Sequence, residues 1–330
     1  MKLSRAGEFG AIERIKGICR SPGREVRVGI GDDAAAFSAT EGVLTLVTAD
    51  MLVEGIHFDL SFAGFRELGW KALAVNISDI AAMGGRPRYY IVSLALRPDI
   101  RVEDVETLYE GMEAMAECFG VYAIGGDTCR TDGPMVISIT VIGDTVSAKP
   151  VTRSGARPGD DIYVTGTLGG SAGGLELLKS GVAGGEGSPE QALVFRHLLP
   201  VPRVGEGVAL AEAGLATAMI DISDGLSSDL GHILEQSGVG AEIQECSIPV
   251  SDELPDVLGK KKALNLALHG GEDYELLFTA RKKNRKAVEG LGGGGFTRIG
   301  SITRGGEACL VTGKGTRRSL ARKGYEHFHK

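Results

Sequence analysis

The stretch "KALAVNISDIAAMGGRPRYYIVSLALR" (71–97) places a helical pattern directly before a strand pattern. Its first half belongs to a helical pattern that extends from Phe65 to Met83, and "RYYIVSLALR" is typical of a buried or half-buried strand. Outside this stretch, a second helical pattern covers Val102 to Phe119. Two more apolar runs predict strands, namely "EGVLTLVTADM" (41–51) and "GPMVISITVIGD" (133–144). Helices and strands mixed in this way predict an α/β or α+β domain.

A second domain is predicted after residue 150. With 330 residues, of which 43% are hydrophobic and 24% charged, the chain is long enough for two buried cores. The segment "SAKPVTRSGARPGD" (147–160) combines prolines, glycines and cations, and is typical of a connection between domains. A new strand pattern, "DIYVTG", follows it. We therefore expect an N-terminal domain over residues 1–150 and a C-terminal α/β domain over residues 151–330.

Composition argues against several classes of function. A net charge of −7 and an aromatic content of 5% provide neither the basic surface nor the stacking residues of a nucleic-acid-binding protein. Apolar runs such as "YYIVSLAL" (89–96) are shorter than the roughly 20 residues that span a bilayer. Met1 opens no signal-peptide pattern, so we expect a cytoplasmic protein without a membrane partner. The five cysteines form no CxxC pair and no zinc-type spacing.

Acidic residues recur at the ends of apolar runs, and most of them lie beside a glycine. The stretch "VGIGDDAAAF" (28–37) contains two in tandem, and the others are Asp50, Asp79, Asp127, Asp221, Asp224, Glu272 and Asp273. Each also has a local explanation: "GDD" is common in turns, Asp127 fits a hairpin turn, and Asp224 fits the cap of the helix that follows it.

Taken together, these acids predict a cation site. If the strand ends lie on one side of a sheet, the carboxylates converge, and two charges about 4 Å apart repel by about 4 kcal/mol at an effective dielectric constant near 20. Such a cluster requires cations. Carboxylates without histidine or thiolate favour hard ions, and Mg²⁺ bound in this way usually shares its ligands with substrate phosphates.

Three familiar motifs are excluded. "GIGDDA" (29–34) fits the spacing of a dinucleotide fingerprint, but two carboxylates would face the pyrophosphate and the following helix breaks at "FSATEG". "TGKGT" (312–316) lacks both the first glycine and the Ser or Thr of a P-loop. "DISDGLSSDLGH" (221–232) has Leu226 and His232 where a calcium loop needs glycine and glutamate.

Eight motifs spread along the chain resemble the thiamine-monophosphate kinase family. They are "GEFGAI", "VGIGDDAA", "KALAVNISDIAAMGGRP", "IGGDTCR", "TRSGARPGD", "IDISDGLSSDLGHI", "GGEDYEL" and "GYEHF". This family is part of the superfamily of aminoimidazole ribonucleotide synthetase, selenophosphate synthetase and a hydrogenase maturation dehydratase. The last two are excluded because the chain lacks an N-terminal reactive Cys or selenocysteine followed by Lys, and ends in "HFHK" rather than in cysteine.

The resemblance implies a two-domain aminoimidazole ribonucleotide synthetase-like fold of the α/β (α+β) class. It also implies a homodimer in which strands of the N-terminal domain pair across the interface. ATP and several Mg²⁺ ions would bind at the N-terminal domain and at this interface. The implied reaction transfers a phosphoryl group from ATP to thiamine phosphate and gives thiamine diphosphate and ADP.

The resemblance also assigns site residues by matching motifs. The positions implied for metal binding are Asp33, Thr48, Asp50, Asp79, Asp127, Asp221 and Asp224. Those implied for ATP are Tyr109, Gly126, Arg153 and Ser223, and those implied for thiamine phosphate are His57, Glu272 and Tyr325. One position departs from the family pattern, because Ala49 stands where a hydroxyl residue is common, and this excludes a side-chain ligand there.

The chemistry of the acceptor fits a site without a general base. A phosphate monoester has its second pKa near 6 and is largely dianionic at pH 7, so its oxygen needs no deprotonation. Catalysis then depends on holding two phosphate groups in line while Mg²⁺ neutralises charge. Two alternatives remain open at this stage: an aminoimidazole ribonucleotide synthetase-like enzyme, and a nonenzymatic nucleotide- or Mg²⁺-binding regulator of the same fold.

Overall fold

The computed structural model describes residues 14, 17–19, 26–28, 36–37, 43–291 and 295–324. The chain divides into two compact units. Unit 1 consists of Met1–Ile80 and Gly85–Ala148, and unit 2 of Ala81–Gly84 and Lys149–Lys330. Described separately, each unit has its own β-sheet and its own buried apolar residues.

Unit 1 contains a four-stranded sheet that positions most of its candidate site. The strands are β3 (Thr45–Val53), β4 (Gly85–Leu96), β5 (Tyr122–Arg130) and β6 (Val136–Thr145), in the spatial order β3-β6-β4-β5. Strands β4 and β5 are parallel and the other pairs are antiparallel. A separate short pair is formed by β1 (Val26–Val28) and β2 (Ala36–Phe37). The three strands predicted from the apolar runs are confirmed, whereas β5 was not predicted.

The two helices predicted for unit 1 are confirmed as α1 (Phe65–Ala82) and α2 (Val102–Phe119). They pack backbone to backbone through two glycines. A Cβ atom on Gly69 would lie 1.9 Å from the Leu108 carbonyl oxygen, and one on Gly111 would lie 2.0 Å from the Arg66 carbonyl oxygen. Both distances are far below van der Waals contact, so only glycine permits this helix crossing.

Unit 2 contains a seven-stranded sheet. Its strands are β7 (Asp161–Thr165), β8 (Ala216–Asp221), β9 (Gly240–Gln244), β10 (Leu276–Ala280), β11 (Phe296–Thr303), β12 (Ala308–Val311) and β13 (Arg317–Ser319). The spatial order is β13-β12-β9-β11-β7-β10-β8, and only β12 and β9 are parallel. Strands β7 and β10 are buried along their whole length, as expected for the centre of a sheet covered on both faces.

Seven helices of unit 2 occur among the described residues: α3 (Gly170–Lys179), α4 (Pro189–Leu198), α5 (Val204–Glu212), α6 (Leu226–Ser237), α7 (Leu254–Leu258), α8 (Lys260–His269) and α9 (Arg285–Leu291). Single 3₁₀ turns occur at Glu245–Ser247 and Lys282–Asn284. The sheet and α6 share one apolar core, in which Ile220, Leu230 and Leu277 are almost completely buried. None of the helices formed by the described residues combines the length and hydrophobicity needed to cross a bilayer.

Replacing Gly111 by Ala should destabilise the protein, because the new methyl group would overlap the Arg66 carbonyl and force α1 and α2 apart. We expect a loss of about 2 kcal/mol or more in the free energy of unfolding, measured by urea denaturation. The control is Gly205→Ala in α5, where the added methyl meets open space and should be neutral or stabilise slightly. Equal stability of the two variants would contradict the glycine crossing.

Candidate functional site

The candidate metal residues of unit 1 are brought together by β3 and α1. Thr48 and Asp50 lie two residues apart on β3 and therefore share one face of the strand. The Thr48 hydroxyl donates a hydrogen bond to Asp79 Oδ2 on α1 at 2.5 Å. Three of the residues predicted from the sequence thus form one group of oxygen ligands.

Asn76 holds this group in place, although the sequence analysis did not identify it. Its Oδ1 accepts the Asp50 backbone N–H at 2.9 Å, and its Nδ2 donates to the Ala72 carbonyl at 3.1 Å. Asn76 is only 1% exposed, so both bonds are formed inside unit 1. A signal was present in the sequence, because a polar residue one turn before Asp79 stands in an otherwise apolar part of the helix.

Charge repulsion is built into this group. Burial and the neighbouring charge of Asp79 raise the pKa of Asp50 to about 6. Ionisation of a carboxyl group beside another carboxylate is unfavourable, and a cation bound between them would offset that repulsion. The ligand atoms are carboxylate and hydroxyl oxygens, the set that fits Mg²⁺.

Ala49 lies on the opposite face of β3 from Thr48 and Asp50. It is exposed, as are Val47 and Met51, which are 66% and 58% exposed. Strand alternation alone therefore directs the side chain at position 49 away from the carboxylates. The missing hydroxyl leaves the oxygen ligands on the other face intact.

Asp127 lies within β5, so the explanation of this residue as part of a hairpin turn is wrong. It is exposed on an edge strand, whereas Asp50 and Asp79 are half-buried. The preceding Gly126 has a structural reason of its own. A Cβ atom there would lie 2.2 Å from the Val92 carbonyl oxygen of β4, so glycine is needed for the two strands to pair.

The other candidates of unit 1 are Tyr109 and His57. Tyr109 is 5% exposed on α2, and burial raises the pKa of its hydroxyl above the usual value. His57 is half-buried in the turn after β3, and its Nδ1 accepts the Val53 backbone N–H at 3.0 Å. That bond occupies one ring nitrogen and leaves the proton of the neutral ring on Nε2.

In unit 2, two loops place the predicted residues side by side. One follows β8 and contains Ser223 and Asp224, and the other precedes β10 and contains Glu272. Glu272 N–H donates to the Ser223 carbonyl at 2.7 Å. Tyr274 N–H donates to the Ile222 carbonyl at 2.9 Å. The residues assigned to metal, to ATP and to substrate in this unit are therefore neighbours.

Asp224 does not cap the helix that follows it. The N-cap of α6 is Gly225, and Oδ2 of Asp229 accepts the N–H groups of Asp224 and Gly225 at 3.1 and 3.0 Å. Burial, together with the charges of Asp221 and Asp224, raises the pKa of Asp229 to about 8. The sequence analysis missed Asp229, which shapes the backbone that presents Asp224.

Glu272 adopts a left-handed backbone conformation with φ 64°, and Tyr274 does so with φ 52°. Such values are uncommon outside glycine and tend to occur at functional sites. The residue between them anchors the loop: Asp273 accepts the N–H groups of Gly169 and Ser171 at 2.6 and 3.1 Å, at the start of α3. Burial raises the pKa of Asp273 to about 7.

A buried histidine contacts the side chain of Glu272. His197 Nδ1 on α4 lies 3.4 Å from Glu272 Oε2 and 3.1 Å from the Ser171 hydroxyl oxygen. His197 is 4% exposed, so its position is fixed by packing. The sequence analysis did not identify this residue, because it stands alone in an amphipathic helix far from Glu272 in the chain.

Arg153 lies at the edge of unit 2, near α6. Its side chain is exposed, and its carbonyl accepts a hydrogen bond from the Ser237 hydroxyl at 3.4 Å. Burial lowers the pKa of His232 on α6, and the charge of Arg153 adds to this effect. The guanidinium group therefore lies close to the helix that begins beside Asp224.

Two predicted residues, Asp33 and Tyr325, lie outside the described residues. The last described residue, Gly324, is close to the candidate site of unit 2, since a Cβ atom on it would lie 2.6 Å from the Asp224 carbonyl oxygen. The preceding N–H, that of Lys323, donates to the Ser227 hydroxyl of α6 at 3.4 Å.

The expectation that the carboxylates converge from strand ends is wrong in detail. Asp50 and Asp127 lie inside strands and Asp79 inside a helix, and only Asp221 ends a strand. Within the part of the chain that the structure describes, no three His, Cys, Asp or Glu side chains are close enough to hold a metal ion. Described separately, unit 1 brings Thr48, Asp50 and Asp79 together, and unit 2 brings Asp221 and Asp224 together with Asp229.

Comparisons with known proteins agree over almost the whole chain. Residues 31–145 match the model of AIR synthase related protein, N-terminal domain, and residues 157–311 match the model of its C-terminal domain. Thiamine-monophosphate kinase of Escherichia coli (strain K12) is 41% identical over 327 residues, which cover 98% of each chain. The crystal structure of thiamine-monophosphate kinase from Stenotrophomonas maltophilia K279a is 38% identical and has a TM-score of 0.84, covering 92% of this chain and 96% of that one. AaThiL complexed with AMPPCP and TMP is 36% identical, with a TM-score of 0.78 and 99% of both chains covered.

Proposed function

The chain belongs to the AIR synthase related family and, within it, to the thiamine-monophosphate kinases, and from this premise we propose how it phosphorylates thiamine phosphate with ATP. The products are thiamine diphosphate and ADP. The observation that carries this function is the full-length match to a relative complexed with AMPPCP, an ATP analogue, and TMP. ATP is thus the phosphoryl donor, and thiamine phosphate the acceptor.

The oxygen ligands of unit 1 fit a divalent metal ion. We propose that Thr48, Asp50 and Asp79 hold Mg²⁺, and that Asp33, Asp127, Asp221 and Asp224 are further Mg²⁺ ligands. When bound there, Mg²⁺ would supply the positive charge that neutralises phosphate oxygens. The support comes from the half-buried Asp50 and Asp79: burial raises the pKa of Asp50, the charge of Asp79 raises it further, and a bound cation would favour the ionised form.

The residues themselves position the two phosphate groups. Arg153 is proposed to neutralise and orient phosphate oxygens of ATP with its planar guanidinium group. Ser223 and the backbone around Gly126 are proposed as further ATP contacts, and Tyr109 as a fourth. None of these groups needs to remove a proton, because the acceptor oxygen of thiamine phosphate is already ionised at pH 7.

The thiamine moiety is proposed to contact Glu272, His57 and Tyr325. An aminopyrimidine ring is recognised by a carboxylate, and a thiazolium cation by an aromatic face. The contact between His197 and Glu272 supports this assignment, because it restrains the carboxylate before the substrate binds.

Residues 1–150 are proposed to form the domain that binds ATP and Mg²⁺ and forms the dimer, and residues 151–330 are proposed to form the second domain. Because the reaction consumes ATP, we place the enzyme in the cytoplasm.

The homodimer is proposed on the exposed face of β3. Val47 and Met51 lie on this edge strand, and Leu44 and Ile56 flank it with 53% and 59% exposure. Large apolar side chains grouped on an edge strand mark an interaction surface. Strands β3 and β5 are the two edges of this sheet, and of the two only β3 carries large exposed apolar side chains among the described residues, so we propose that β3 pairs with a second copy.

The purified chain, supplied with ATP and Mg²⁺, should convert thiamine phosphate and leave free thiamine essentially unchanged. Transfer to thiamine requires deprotonation of an alcohol, for which the site has no assigned base. Activity should rise as the pH passes the second pKa of the acceptor, near 6. Chromatography of both compounds over pH 5 to 9 measures this, and comparable phosphorylation of thiamine would refute the proposed mechanism.

Asp79→Asn should keep the fold and lose at least about tenfold in kcat, because the amide keeps the shape of the side chain but loses its charge. The same variant should lose the rise in melting temperature that Mg²⁺ with ATP gives the original protein. The matched control is Asp132→Asn, whose carboxylate is 81% exposed in a surface ion pair. A kcat of Asp79→Asn close to that of the unmutated protein would disprove the assignment of Asp79 as a Mg²⁺ ligand.

The dimer should dissociate when charge is placed on the exposed face of β3. We expect Met51→Lys to shift the mass in sedimentation equilibrium from dimer toward monomer at micromolar concentration, because a buried unpaired charge is costly at an interface. Val182→Lys, at an exposed apolar position of unit 2, is the control and should remain dimeric. A monomeric original protein with full activity would rule out the proposed assembly.

A further inference from the structure

The lining of a basic cleft in unit 2 contains none of the residues assigned to the sites described above. The cleft has a volume of about 420 Å³, and its lining includes Gly155, Arg157, Thr217, Arg281, Lys283 and Asn284. This volume is within the usual range for small-molecule sites. The cleft lies where the connection into unit 2 passes the loop between β10 and α9.

The basic cleft and the candidate site lie at opposite ends of the same strands. In the pairing of β8 with β10, Ala216 is opposite Ala280 at the cleft end, and Asp221 is opposite Leu276 at the other end. Five residues of extended strand separate the two ends by about 17 Å. A ligand in the basic cleft therefore does not touch Asp221, Asp224 or Glu272.

The cleft concentrates positive charge in a chain whose net charge is −7. Arg157, Arg281 and Lys283 line it, and no carboxylate does. Among the residues that the structure describes, none of these three cations forms an ion pair. The next arginine, Arg285, differs in this respect, because it forms two hydrogen bonds with Asp161 at 2.9 and 2.7 Å.

The carboxylate of Asp160 is hydrogen-bonded to two residues that line the cleft. Asp160 is 5% exposed, and its Oδ2 accepts the Arg157 backbone N–H at 3.0 Å and the Thr217 hydroxyl at 2.8 Å. These bonds fix the Arg157 backbone and Thr217, and they do not involve the charged groups of Arg157, Arg281 and Lys283. The Asn284 amide adds a neutral donor to the same lining.

We propose that the basic cleft binds the pyrophosphate group of a small molecule. Two guanidinium groups and an ammonium group supply the positive charge and the hydrogen-bond donors that two linked phosphates require. A cleft of this volume encloses a diphosphate and part of the group attached to it, whereas a nucleic-acid or acidic-protein partner needs an extended surface. A nucleoside diphosphate and thiamine diphosphate share this chemistry.

Calorimetric titration of the full chain with inorganic pyrophosphate in EDTA tests the proposal. Without divalent metal, the carboxylates of the candidate site repel the anion, so the basic cleft is measured separately and no turnover is required. The double variant Arg281→Ala/Lys283→Ala should bind pyrophosphate at least about tenfold more weakly. The control Lys260→Ala/Lys261→Ala removes two exposed cations from α8 and should change the affinity less than about twofold.

Parallel titrations with ADP and thiamine diphosphate identify the source of the ligand. If ADP or thiamine diphosphate binds more tightly than inorganic pyrophosphate, and the cleft variant loses this difference, the group attached to the pyrophosphate is also recognised. If all three bind with equal affinity, the pyrophosphate group suffices. Equal losses in the cleft and control variants would overturn the proposal, because they indicate general attraction by surface charge. So would a dissociation constant for the original chain above about 1 mM.

Discussion

Repulsion between carboxylates that the fold holds close together is the constraint on which the site depends. In unit 1 it acts between Asp50 and Asp79, and in unit 2 between Asp229 and its neighbours Asp221 and Asp224. The packed backbone prevents these groups from separating: Asn76 fixes the Asp50 backbone, and Asp229 is bound to two N–H groups at the start of α6. Folding thus leaves a repulsion between carboxylates that a bound cation would reduce.

The same rigidity depends on glycines at particular positions. Gly69, Gly111 and Gly126 each allow two backbones to approach more closely than any side chain would permit. Gly271 has a similar role between the two loops of unit 2, where a Cβ atom would lie 2.4 Å from the Ser223 carbonyl oxygen. Close backbone packing positions the loops with little freedom, which is what phosphate groups held in line require.

Periodicity predicted the long elements correctly because α1, α2, β3, β4 and β6 have strong apolar patterns. It failed at β5, because the sequence Gly-Gly-Asp (125–127) is typical of a turn. This segment is a strand through its pairing with β4. Motif resemblance assigned Ser223 to ATP, Asp224 to metal and Glu272 to thiamine phosphate, and the structure holds the loops that contain them side by side. Asp229 and His197 could not be predicted, because their importance comes from partners brought near by folding, whereas Asn76 left a signal as a polar residue in an apolar part of α1.

The sheet of unit 1 has a consequence for synthesis of the chain on the ribosome. Strand β6 is the last of the four to be made, yet it lies between β3 and β4 and is the strand that pairs with β3. Until residue 145 has emerged, β3 has no sheet to join, and its apolar residues Leu46 and Leu52, which are buried in the finished unit, remain available to other nascent chains. A nascent chain that stalls between β5 and β6 would therefore be prone to aggregate. Chaperone binding would matter more in that interval than after β6 has been made.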